Sequence, residues 1–172
     1  MQLRQTILEN SGNALLFGNK PKQSTNAKPG LKQTKANPWK IMIIDDDHEV
    51  HQVTAMVLTG FRYEGRPIEI IQGYSAADCL ALMQQHPDTA VLLLDVVMET
   101  ESAGLDAART IRVQLHNHRV RIIIRTGQPG RAPEQEVMAN FDINGYVEKT
   151  ALTAQHLYSC ITESLSAWRD SE

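Results

Sequence analysis

Residues 41–46 read Ile41-Met42-Ile43-Ile44-Asp45-Asp46, and the pattern returns at 91–95 as Val91-Leu92-Leu93-Leu94-Asp95. Four consecutive large apolar residues without alternation are what a strand buried on both faces looks like, and such strands belong to parallel sheets covered by helices on each side. Ile122-Ile123-Ile124-Arg125 then leads into Thr126, and Tyr146-Val147 leads through Glu148 to Lys149. In an open parallel sheet the working groups collect in the crevice at the strand carboxyl ends. Asp45, Asp46, Asp95, Thr126 and Lys149 are therefore expected to share one pocket.

Helical patterns separate these runs. Asp46 or Asp47 is placed to cap a helix carrying Val50, Val53, Met56 and Val57 and leading to Gly60. A partly alternating strand at Ile68-Glu69-Ile70-Ile71 precedes Ser75-Ala76-Ala77-Asp78, a capping-box variant that opens a helix ending before Pro87. A third helix runs from about Gly104 to Leu115. A fourth starts near Pro133 after the Gly127-Gln128-Pro129-Gly130 loop, and Leu152 to Trp168 makes the last. Five βα units with right-handed crossovers give an α/β, flavodoxin-like three-layer sandwich: a five-stranded parallel sheet of order 2-1-3-4-5 with five helices. That order sets strands one and three side by side, bringing Asp45 and Asp46 to Asp95.

The 172 residues suffice for one domain with a well-buried core. Residues 1–40 carry seven Lys/Arg against the single Glu9, and the remaining 132 carry ten against nineteen Asp/Glu. Residues 18–39 are rich in Lys, Asn, Gln, Pro, Gly, Ser and Thr, too poor in large apolar side chains to repay ordering. Residues 1–38 read as a flexible basic tail and linker, and 39–170 as the folded domain. An acidic body argues against direct nucleic-acid binding. No apolar stretch approaches the ~20 residues that span a bilayer, and no cleavable leader is evident, so no membrane contact and a cytoplasmic location are expected. Cys79 and Cys160 read as free thiols. His48 and His51 read as solvent-facing rather than ligating, and Trp39 and Trp168 as packed at the domain edge.

Clustered carboxylates repel unless a cation joins them, and oxygen-only ligation with room for water and a phosphate oxygen suits Mg²⁺. The ordered set Asp45-Asp46, Asp95, Thr126, Tyr146-x-x-Lys149 resembles the receiver domain of two-component response regulators over about residues 39–169. The resemblance implies a signalling domain, not an enzyme beyond self-phosphorylation and self-dephosphorylation. Asp95 would accept a phosphoryl group from a sensor histidine kinase or phosphotransfer protein. Asp45, Asp46, Asp95 and the backbone carbonyl of Val97 would hold Mg²⁺, Lys149 would neutralise charge, and Thr126 with Tyr146 would form the switch. It further implies an output domain or downstream protein, of the kind found with HD-GYP-type cyclic-di-GMP phosphodiesterases or other signalling outputs, so that the chain reads as the front piece of a longer protein, with a stand-alone receiver as the alternative. A homodimer through the fourth helix, fifth strand and fifth helix is the family's usual assembly.

Two departures from the family pattern stand out. Glu99-Thr100-Glu101-Ser102-Ala103 replaces the usual proline after Met98 and lengthens the loop before Gly104. Thr150 follows Lys149 where proline is usual, and a cis bond without proline costs ~2.5–4 kcal/mol. The rival reading is a haloacid-dehalogenase-like phosphohydrolase using Asp45 and Asp47; it leaves Asp95 without a role.

Overall fold

A computed structural model describes residues 37–127, 134–149 and 153–171, with 134–137 described by their backbone. Residues 1–36, 128–133, 150–152 and 172 fall outside the described residues, and with them the expected tail up to residue 36, the Gln128-Pro129-Gly130 stretch and Pro133 helix start, the Lys149–Thr150 bond and the expected helix start at Leu152.

The chain runs β1 (Trp39–Ile44), α1 (His48–Leu58), β2 (Arg62–Tyr63), β3 (Arg66–Gly73), α2 (Ala76–Gln85), β4 (Val91–Asp95), α3 (Ala103–Val113), β5 (Arg121–Thr126), α4 (Glu134–Phe141), β6 (Gly145–Glu148) and α5 (Ala154–Arg169). The sheet order is β2-β3-β1-β4-β5-β6. The five parallel strands follow the flavodoxin-like order 2-1-3-4-5, with β2 added at the edge as an antiparallel partner of β3. That hairpin is absent from the sequence reading. Its turn puts Glu64 and Gly65 at φ 50° and 76°, the two left-handed positions of a type I′ turn. Glycine takes the second without strain, but Glu-Gly lacks the usual Asn or Asp and β2 has only two residues, so the signal is weak.

Alternate residues of each strand feed opposite cores. Met42, Ile44, Leu92, Leu94, Ile122 and Ile124 face one cluster with Cys79, Met83 and Ile111 of α2 and α3. Ile41, Ile43, Val91, Leu93 and Ile123 face the other with Leu58 of α1 and Leu157, Ile161 and Leu165 of α5. Both sets are almost wholly buried, and this is why the runs are apolar throughout. Trp39 and Trp168 meet edge to face, 5.6 Å between ring centroids. Arg66 holds the start of the domain by donating to the carbonyls of Asn37 and Pro38.

Caps form where the sequence places them. Asp47 Oδ1 accepts from Glu49 N at 2.8 Å, and Ser75 Oγ accepts from Asp78 N at 3.0 Å. Asp78 returns its carboxylate to Tyr74 N, one residue earlier than a reciprocal box would have it. Cys79 and Cys160 are free thiols, and burial pushes Cys79 up to about 12.

Helix α1 departs from its expected packing. Its buried residues are His51, Thr54 and Leu58, while Val53 and Met56 stand 59% and 75% exposed. The expectation that His51 faces solvent is wrong: it is 2% exposed, and its Nε2 lies 2.8 Å from the Asp45 carbonyl oxygen. The strand end beneath α1 offers an unpaired carbonyl, and a buried carbonyl needs a donor. His48 does face solvent, packed against Tyr74 with ring centroids 4.5 Å apart.

Candidate functional site

Each acidic residue reaches the site because its strand stops there. Asp45 follows β1 and is fully buried, Asp95 closes β4 at 4% exposure, and Asp46 is exposed at the rim. One carboxylate oxygen from each of the three lies within 4.8 Å of the others. Lys149, one residue beyond β6, extends its Nζ to 2.8 Å from Asp95 Oδ2 and 2.9 Å and 3.1 Å from Asp45 Oδ2 and Oδ1. The backbone helps hold the acids: Asp47 N donates to Asp45 Oδ1 at 3.1 Å, and Val97 N to Asp95 Oδ1 at 3.4 Å.

Burial pushes the Asp95 carboxyl above the ordinary value, opposed by the Lys149 hydrogen bond and reinforced by the charge of Asp45. For Lys149 burial works downward, but its hydrogen bonds to Asp95 and Asp45 prevail and raise it. The ammonium is thus held charged between two carboxylates, one of which is poorly solvated. That donor set, all oxygen and hard, with one exposed member leaving room for water, fits a small divalent cation better than a soft-metal site.

Thr126 ends β5 buried, and Tyr146 in β6 is half-buried against the α2/α3/α4-side core. The loop after β4 explains one departure from the expected pattern. Glu99, standing where proline is usual, accepts from Ala76 N at 2.9 Å and so satisfies an orphan donor in the first turn of α2. Gly104, in the first turn of α3, donates to the Val96 carbonyl at 3.0 Å, and a Cβ there would sit 1.8 Å from the Asp95 carbonyl oxygen. Only glycine allows α3 to approach the Asp95 backbone so closely.

Asp47 does not join the acids as the phosphohydrolase reading requires. Its Oδ1 caps α1, and Asp95, which that reading leaves idle, lies at the centre. Buried polar residues beside the site that the sequence does not announce include His51, Thr54 and Arg125 of β5, whose Nη1 donates to Thr54 Oγ1 at 3.1 Å. An arginine inside an otherwise apolar strand was the signal for the last.

The model of the response regulator receiver domain matches residues 41–162. The 3′3′-cGAMP-specific phosphodiesterase 2 of Vibrio cholerae serotype O1 is 41% identical over 155 residues, covering 90% of this chain and 30% of that protein. The chain thus spans under a third of that relative's length. Among solved structures, the Vibrio cholerae chemotaxis protein CheY4 superposes with a TM-score of 0.61 at 18% identity, covering 74% of this chain and 99% of that one. A signal receiver domain of an HD domain-containing protein from Pseudomonas fluorescens Pf-5 gives 0.62 at 15%, covering 79% and 93%. A CheY-like receiver domain protein from Methanospirillum hungatei JF-1 gives 0.59 at 20%, covering 78% and 99%. The phosphohydrolase alternative finds no support in these matches. The chain belongs to the response regulator receiver domain family, a family of signalling domains.

Proposed function

We propose that this receiver domain takes a phosphoryl group from a histidine kinase or phosphotransfer protein onto Asp95 and passes the change to an output domain or partner. The observation that carries this reading is the Lys149 ammonium bridging buried Asp45 and Asp95, with Asp46 at the rim. In this reading an Asp95 oxygen attacks the phosphorus of a phosphohistidine, the P–N bond breaks and the imidazole leaves with the electron pair. Asp45, Asp46, Asp95 and the Val97 carbonyl would hold Mg²⁺, which when bound supplies positive charge to the phosphoryl oxygens. Lys149 supplies the chain's own positive charge at the same oxygens. Thr126 would hold a phosphoryl oxygen and Tyr146 would move inward behind it, carrying the signal toward α4, β6 and α5, the face proposed for a homodimer.

The output is proposed to be cyclic-dinucleotide hydrolysis in a longer protein, supported by the 41% identity to a 3′3′-cGAMP phosphodiesterase. On this view the domain is a cytoplasmic switch with no catalytic turnover of its own beyond self-phosphorylation and self-dephosphorylation. Among the described residues no helix is long and apolar enough to cross a membrane. Residues 1–38 are proposed to act as a tail that does not take part in the chemistry.

Intact mass after incubation with acetyl phosphate and Mg²⁺ tests the reading. One phosphoryl adduct is expected in the wild type and none in Asp95→Asn, while Asp46→Ala should lose most of the Mg²⁺ dependence along with most of the adduct. An adduct that persists in Asp95→Asn would place the chemistry elsewhere.

A further inference from the structure

The row of the sheet that holds the two buried carboxylates also holds a buried arginine with no part in the chemistry above. Asp45 and Asp95 continue the series Ile41, Ile43 and Val91, Leu93, whose side chains face the α1/α5 core. Arg125 pairs in register with Asp95 and lies on that same face one strand along. Adjacent strands are ~4.8 Å apart, so acid, acid and base form a row beneath α1. The arginine is 5% exposed. Its Nη1 donates to Thr54 Oγ1, which in turn donates to the Val50 carbonyl, and among the described residues its Nε has no hydrogen-bond partner. Burial of a guanidinium that bonds a neutral hydroxyl is costly unless opposite charge lies near.

The charges near Arg125 explain why the cost is tolerated. Burial lowers its pKa, and the fields of Asp45 and Asp95 oppose that. With a divalent cation bound, Asp45, Asp46 and Asp95 are neutralised by that cation and Lys149 alone, so Arg125 leaves the site with one positive charge in excess. Converting the Asp95 carboxylate into an acyl phosphate adds up to about one further negative charge. The excess then vanishes.

We propose that Arg125 is the fixed counter-charge of this site, a positioning residue that weakens divalent-cation binding before phosphorylation and stabilises the phosphorylated state after it. This rests on the reading of Asp95 as phosphoacceptor. A purely structural arginine, tying β5 to α1 through Thr54, would affect both states alike. A cavity of about 240 Å³ between α1 and α5, lined by Thr54, Arg125, Lys149 and Leu157 among others, lets a neutral side chain replace the guanidinium without crowding.

The test measures two affinities in the full chain: Mg²⁺ alone, by amide shifts around Asp45 and Asp95, and beryllofluoride, a phosphoryl mimic, at saturating Mg²⁺. Arg125→Met and Arg125→Gln are expected to bind Mg²⁺ about tenfold tighter and beryllofluoride about tenfold weaker, the directions that losing a positive charge from this row of the sheet gives, with the size reduced by solvent screening at the open rim where Asp46 lies. Arg125→Lys should restore both toward wild type, and Thr54→Val should leave both within about twofold. Parallel weakening of both ligands in the neutral variants, no change in either, or unfolding of both neutral variants would overturn the proposal in favour of a structural role. A wild type that takes up no beryllofluoride would instead overturn the phosphoacceptor reading, and this inference with it.

Discussion

A Lys149→Met variant is expected to melt about 10 °C below the wild type in magnesium-free buffer at neutral pH, and the gap should close in mild acid. Removing one partner of a buried ion pair leaves an uncompensated charge and costs about 3–5 kcal/mol. The Lys149 side chain is 22% exposed, which places this case near about 3 kcal/mol, and each kcal/mol shifts Tm by roughly 3–4 °C in a domain of this size. The pH dependence follows from Asp95, already raised by burial against the pull of Lys149 and further raised by Asp45. A carboxyl whose pKa is higher folded than unfolded binds more protons when folded. Its stabilising effect is full below the unfolded value and is lost as pH rises through the folded one. Without Lys149 the folded value climbs further, so the loss extends over a wider pH range and the variant is relatively strongest in acid. Mg²⁺ should rescue the melting temperature at neutral pH by supplying the missing charge, but not the switching response. Thermal melts from pH 5 to pH 8, with and without Mg²⁺, check this. A gap independent of both pH and Mg²⁺ would mean that Lys149 contributes packing rather than charge.

Gly104→Ala should be the most damaging single-methyl change in the domain. At an open helical position alanine would gain about 1 kcal/mol over glycine. Here its Cβ would lie 1.8 Å from the Asp95 carbonyl oxygen and 2.8 Å from its carbonyl carbon, and backbone cannot rotate aside as a side chain can. Helix α3 must lift from β4, loosening Ala107, Ala108 and Ile111, which are almost fully buried. Overpacking costs about 1–3 kcal/mol when side chains give way, so at least about 3 kcal/mol is expected where backbone must. The same displacement moves Asp95 relative to Lys149, so phosphoryl acceptance should fall at temperatures where the variant is still folded. Gly145→Ala is the control, because its Cβ would meet Ile123 at an ordinary 3.6 Å. Its melting temperature should stay within about 2 °C of wild type, since Gly→Ala effects at an unstrained site are about 1 kcal/mol or less. Equal effects from the two substitutions would show that the close approach of α3 to Asp95 is not what requires glycine.

Much of the site could be read from the chain because its members end strands. An apolar run reports both that a segment is buried on two faces and where it stops, and parallel topology then gathers the stopping points. Asp45, Asp46, Asp95 and Lys149, whose side chains converge, are legible in this way, and the capping Ser75 and Asp47 by equally local chemistry. Glu99 was legible as a departure in the loop, but its partner, Ala76 N, is 23 residues away and no local pattern names it.

What the sequence determined by itself is the α/β sheet, the order of its five parallel strands, and the convergence of three acids and a lysine at their carboxyl ends, since burial pattern and strand length are properties of short segments; the antiparallel β2 was not part of it. Tertiary structure alone decided which face of α1 turns inward. Judged by hydrophobicity, Val53 and Met56 should be inside and His51 and Thr54 outside; the reverse holds because that face covers a strand end with a carbonyl and a guanidinium in need of partners. The pairing of Arg125 with Thr54 joins residues 71 apart, and the closeness of Gly104 to Asp95 depends on how far α3 sinks toward β4. Such contacts are set by the fit of neighbouring elements, which a one-dimensional pattern of polar and apolar residues does not contain.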